Sequence, residues 1–127
     1  MQDRELLELA AKAYGLRGVY EETIWTHEGQ TIRNTGIIAT NEDGDALDAE
    51  ARAWNPLADD GDALRLAVKL KLGVETSSSG CEVRFDNQRG DEGCLVQEIK
   101  EDGSMSDLEA TRRAIVLAAA EIGRLAE

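Results

Sequence analysis

One histidine, two cysteines and a dense run of carboxylates are the residues of this chain whose types could do chemistry. His27 lies in "THEGQ", a stretch of turn composition. A Ser–His–Asp or Cys–His group needs a base within hydrogen-bond reach of its nucleophile, and no spacing here aims His27 at Cys81, Cys94 or a serine. It reads as a surface turn histidine, and the protein is expected not to be an enzyme. Zinc fares no better, because two cysteines thirteen positions apart and one distant histidine have no ligand spacing. A phosphate-cradling glycine loop is also absent, since "GDEG" neither opens a helix nor leads to a lysine. No cofactor is expected.

The carboxylates are concentrated. Glu42, Asp43, Asp45, Asp48, Glu50, Asp59, Asp60 and Asp62 face a single base, Arg52, between positions 42 and 62. Within this window "ATNEDGDALDAE" approaches a calcium loop, with Asn41, Asp43, Gly44 and Glu50 at its third, fifth, sixth and twelfth positions. Ala39 stands at the first position, where the loop needs a carboxylate, so a solvated acidic turn is the expectation and no metal site is assigned. Together with Trp54, the residues Glu42, Asp43, Asp45, Asp48, Glu50, Asp59 and Asp60 form the candidate interaction surface.

Composition sets the frame for these side chains. With 127 residues the chain suits one domain spanning 1–127. A formal net charge of −12 repels phosphate backbones, so neither direct nucleic-acid binding nor attachment to an anionic membrane is expected. No run approaches the length of a membrane span, and "MQDRELLELAAKAYG" has the acids of an ordinary helix, unlike an export signal, so the location expected is the cytoplasm. Cys81 and Cys94 are accordingly expected as reduced thiols. Aromatic residues make up only 4%, which leaves an aliphatic core with Trp25, Trp54, Tyr14, Tyr20 and Phe85 as its few large members.

Hydrophobic spacing then orders the elements. Leu6, Leu7, Ala10, Ala11 and Tyr14 predict a helix over 3–14, with Gly15 at a left-handed cap. The runs around Val19–Trp25 and Ile37–Ile38, separated by "HEGQ" and followed by "NEDG", predict two short strands. "DALDAEARAW" suits a third strand returning on the second, although its alanines also permit a helical turn. Pro56 removes a donor and biases Asn55 towards extended geometry, after which Asp59 or Asp60 caps a helix over about 60–71 that presents Ala63, Leu64, Ala67 and Val68 as one apolar side. "VETSSSG" reads as a strand end or a loop. "CEVRF" and "CLVQEI" form a hairpin over 81–99, which places Cys81 and Cys94 in one neighbourhood. Ser106 and Glu109 make a capping box for a last helix, whose stripe is Leu108, Ile115, Ala118, Ile122 and Leu125. The fold class is α+β: a small antiparallel sheet covered by about three helices in the order α-β-β-(β)-α-β-β-α, an α/β sandwich.

"WNPLADDGDALRLAVKLKL" therefore reads mainly as a seat for the second helix, with Trp54 buried against it. The start Trp54-Asn55-Pro56-Leu57, its continuation Asp59 to Ala67, the "ELLELAAKA" opening and the terminal "ATRRAIVLAAAEIGR" resemble the small phage and prophage proteins grouped as the phage ABA sandwich domain. The resemblance covers residues 3–14, 54–72 and 107–124, about half the chain; the acidic stretch Glu42 to Glu50 departs from it. It implies a phage or prophage origin and a sheet between helices. The family is largely of unknown function, so no catalytic or ligand-binding residue is carried over. The function expected is that of a non-catalytic accessory protein that binds a host or phage protein, with modulation of host defence as one outcome. Two alternatives are an acidic mimic of nucleic acid that occupies a basic cleft, and a small enzyme or pocket for a nucleotide-like metabolite. A homodimer through a sheet edge or helix face is compatible with every one of them.

Overall fold

The computed structural model describes residues 2–43, 53–77, 80–85, 94–99 and 106–125. Its elements run α1 (Asp3–Tyr14), β1 (Gly18–His27), β2 (Gln30–Ala39), α2 (Asp60–Lys69), β3 (Gly73–Ser77), β4 (Gly80–Phe85), β5 (Cys94–Ile99) and α3 (Asp107–Leu125). The class is α+β with antiparallel sheets. Where the sequence suggested a single sheet, the described strands form two, β1-β2 and β3-β4-β5. The hairpin is seated on α1 and the three-stranded sheet on α3, so each has a different helix covering its inner face.

Local chemistry explains the boundaries. Gly15 closes α1 at φ 87°, ψ 18°, its N–H reaching the Ala11 and Lys12 carbonyls. Glu28 and Gly29 both have positive φ, the geometry of the tight hairpin turn whose twist matches the flanking strands. Asp59 caps α2 by accepting the Asp62 N–H at 2.8 Å, and Ser106 caps α3 by accepting the Glu109 N–H at 3.1 Å.

The strand expected before Trp54 lies mostly in residues 44–52, outside the described residues. Its described end makes one antiparallel bridge: Trp54 donates to Ile37 at 2.8 Å and accepts from it at 2.9 Å. Of "VETSSSG", residues 74–77 are strand, because Gly73–Ser77 pairs along its whole length with β4.

The core centres on α3. Ala114, Val116, Ala118 and Ala119 are all fully buried although they point in different directions around the helix, as befits an element packed on several sides. α1 splits its apolar residues in two, Leu6 and Ala10 entering the main core while Leu7 and Ala11 meet Ile37 of the hairpin. Small residues let α1 and α3 approach closely. A Cβ on Gly123 would overlap the Leu9 backbone carbonyl.

Three expectations are corrected here. Leu64 and Val68 were placed on the buried side of α2, yet they are 64% and 67% exposed, because Ala63, Leu66 and Ala67 occupy the inward positions. Leu108 begins the predicted stripe of α3 but is 59% exposed, whereas Ile115, Ala118 and Ile122 are buried as the spacing requires. The hairpin register also separates the cysteines: Cys81 lies opposite Glu98 and Cys94 opposite Phe85. Four residues along a strand is about 13 Å, well beyond the reach of a disulfide, and Cys81 is a free, buried thiol.

Replacing Gly123 by alanine should force α1 and α3 apart and cost about 1–3 kcal/mol, read as a lower urea midpoint with an unchanged slope. An unaltered midpoint would mean that the two helices do not meet at Gly123.

Candidate functional site

Asn55 is where the polar groups of the Trp54–Asp62 segment converge. Its backbone N–H donates to Asp62 Oδ2 at 3.0 Å and its side-chain Nδ2 donates to the Thr35 carbonyl of β2 at 2.9 Å. Oδ1 accepts the Leu57 N–H at 3.0 Å, and the Asn55 carbonyl accepts from Asp59 at 2.9 Å and Ala58 at 3.1 Å. Asp62 is buried, with its charge met by Arg65 at 2.8 Å. Arg112 of α3 completes the junction, donating to the Leu57 carbonyl at 2.9 Å and to Asp60 Oδ1 at 2.6 Å. One short segment thus ties β2, α2 and α3 together.

Trp54 serves the same junction. Its ring lies 5.5 Å from Tyr14 on α1 at a tilt of 31°, and it packs against both core clusters, so the aromatic offered as a binding anchor is largely a packing residue. Its indole Nε1 is buried without a hydrogen-bond partner among the described residues.

Of the other members of the predicted surface, Glu42, Asp43, Asp59 and Asp60 lie among the described residues. Glu42 and Asp43 are exposed just past β2, where the Asp43 N–H donates to Asn41 Oδ1 at 2.9 Å. Asp45, Asp48 and Glu50 lie outside the described residues. Asp59 is the cap of α2, and Asp60 pairs with Arg112. Among the described residues no three His, Cys, Asp or Glu side chains are grouped to hold a metal ion. His27 is an exposed residue at the hairpin tip, 3.9 Å from Glu28.

What the sequence pattern missed is an open apolar trough. Leu64 and Ala67 of α2 form one wall, Val74 of β3 the other, and Leu108 and Ile115 of α3 the floor, enclosing about 290 Å³. A second hollow of about 390 Å³ continues it along β3 past Thr76 and Ser77, sharing Leu108 and Thr111 with the first. The available signal was an excess of apolar positions: α2 has Ala63, Leu66 and Ala67 for the core and still carries Leu64 and Val68, a second pair at i, i+4.

Cys81 lies near the trough but not in it. Burial pushes its thiol up from the ordinary range, while a hydrogen bond with Thr111 acts in the opposite direction. That makes it a poor nucleophile in the folded protein.

No protein-family model, no curated protein and no solved structure matches the chain. The likeness to the phage ABA sandwich domain therefore stands on the quoted residues. Among the described residues no helix is long and apolar enough to cross a membrane.

Substituting aspartate for Asn55 keeps its shape but replaces the amide donor with an oxygen facing the Thr35 carbonyl. A loss of about 2–4 kcal/mol is expected in urea unfolding, and a wild-type midpoint would remove the junction from the account. For Cys81, a raised folded pKa gives stability that is intact below the ordinary thiol range and lost as pH rises through the folded value. Urea melts taken from neutral to alkaline pH should show a decline that Cys81→Ala makes shallower; equal slopes for both proteins would contradict the assignment.

Proposed function

We propose that this protein is a non-catalytic accessory protein of phage or prophage origin that binds a host or phage protein through the trough between α2, α3 and β3. The observation that carries the reading is the exposure of Leu64 and Leu108 beside Val74, which is 39% exposed, all three lining the trough. Scattered apolar surface residues need no explanation, but a group that shares one concavity marks an interaction site. Polar groups flank it, as at the rim of a protein interface: the Asp60–Arg112 pair on one side and Asp107 on the other.

Two observations favour this reading, the first over mimicry of nucleic acid and the second over a pocket for a nucleotide-like metabolite. Asp59 is used as a helix cap and Asp62 is buried, while Asp60 is already neutralised by Arg112, so these carboxylates are poorly placed to imitate a row of phosphates. The lining of the trough is mainly aliphatic, which suits a protein side chain better than a polar nucleotide. Origin rests on the likeness of the Trp54–Ala67 block and the two terminal helices, and modulation of host defence is one role open to such a binder.

The test is affinity capture from bacterial lysate with the wild-type protein and with a Leu64→Asp, Leu108→Asp double variant. Both positions are exposed, so the variant should keep the wild-type melting temperature to within a few degrees. A stoichiometric partner held by the wild type and lost by the variant is expected. Equal recovery by the two proteins, or no partner for either, would overturn the proposal.

A further inference from the structure

The β1-β2 hairpin is longer than its support. Its base is held, with Tyr20 and Ile37 packed against Leu7 and Ala11 of α1. Residues 21–24 and 26–31 are exposed, and because successive side chains of a strand point to opposite faces, both faces of the outer half are uncovered. A bare pair of strands is marginal in water, and further strands make it stable.

The free edge belongs to β1. Ile37 of β2 exchanges both backbone bonds with Trp54, on the side away from β1. Tyr20, its partner across the ladder, therefore turns its own N–H and C=O away from β2, and alternation gives the same direction to Glu22, Ile24 and Thr26. No described strand lies beside them. The pairing runs from Gly18 to His27 without a bulge, and residues 23–27 contain no proline, lysine, arginine or carboxylate, so the usual protections of an edge strand are missing there.

Register identifies the occupant. Two β1 edges can pair antiparallel about a two-fold axis, with every contact made twice. An axis at Glu21 or Glu22 sets a glutamate against its own copy, and one at Trp25 sets Glu22 against Glu28. An axis at Thr23 sets Ile24 against Glu22. At Ile24 the strand is self-complementary: Ile24, 52% exposed, meets its own copy, Glu22 meets Thr26, and Glu21 meets His27. Arg33 stands opposite Ile24 on β2, one strand back from the seam in each of these registers. Both α1 helices then lie on one face of the joined sheet but at opposite ends, since Tyr20 is four residues, about 13 Å, from the axis.

We infer that the protein forms a two-fold dimer in which β1 pairs with β1 of a second copy about Ile24, giving a continuous sheet β2-β1-β1-β2. The dimer is independent of the trough and presents it twice. Repulsion between molecules of net charge −12 opposes the pairing at long range, so the dimer tightens as salt is added.

Light scattering and sedimentation at increasing salt should show a monomer–dimer equilibrium. Thr26→Glu, which sets a carboxylate against Glu22 of the second copy at two places, should raise the dissociation constant at least about tenfold. Adding Glu22→Lys should restore the dimer, because the two positions meet only across the seam. Both are exposed and lie outside the core clusters, so the circular dichroism of each variant should match the wild type. Hydrogen exchange should slow at the amides of Glu22, Ile24 and Thr26 in the dimer. A monomer at every salt concentration, a dimer indifferent to Thr26→Glu, or a double variant no tighter than Thr26→Glu alone would overturn the inference. Slowing of those three amides only when a captured lysate partner is present would overturn it as well, assigning the edge to a foreign strand. The Leu64→Asp, Leu108→Asp variant should dimerise like the wild type; loss of its dimer would move self-association to the trough and remove the β1 seam.

Discussion

The fold depends on keeping one half-buried junction fully bonded. Asn55 sits where the chain leaves β2 for α2, and its N–H, carbonyl, Nδ2 and Oδ1 are all engaged. A buried polar network of this kind is stabilising only while complete, since each lost partner leaves a desolvated group behind. Asp62 illustrates the stakes: a carboxylate with 4% side-chain exposure is tolerable because Asn55 and Arg65 both donate to it. Pro56 strengthens the arrangement from the covalent side, restricting the backbone of Asn55 before any hydrogen bond forms.

This junction also explains why α2 leaves leucine and valine in solvent. A helix free to turn about its axis would bury its largest side chains, but α2 is held at its first turn by the Asp59 cap and by the Asn55–Asp62 bond. With that rotation fixed, Ala63, Leu66 and Ala67 point inward and Leu64 and Val68 point out. The inward residues are mostly small, which brings α2 close to an α3 that is itself rich in alanine. The apolar trough is thus a consequence of polar bonds made several residues away.

Much of this could be read from residue order. The cap at Gly15, the start of α2 at Asp60, the Ser106 cap and the β4–β5 hairpin follow from local chemistry, in which a side chain meets backbone groups a few residues away. The orientation of α2 was not legible, because its two apolar pairs, Ala63 with Ala67 and Leu64 with Val68, have the same spacing, and the choice between them rests on the Asn55–Asp62 bond and on the contact that ties Asn55 to Thr35, twenty positions away. The same limit applies to the part of the acidic window among the described residues. Composition shows that Asp59, Asp60 and Asp62 are close in sequence, but not that a cap, an arginine 52 positions away and a buried amide each engage one of them. Cys81 and Cys94 were set together by hairpin reasoning, and it was the register, pairing them with Glu98 and Phe85, that moved them apart.

An exposed apolar trough ordinarily invites self-association, and the charge of this chain bears directly on that problem. Each molecule has 26 acidic against 14 basic side chains, so two copies approaching through any face repel one another, most strongly at low ionic strength. The repulsion does not distinguish the trough from the rest of the surface, so it limits self-association there without closing the trough to a partner of lower negative charge.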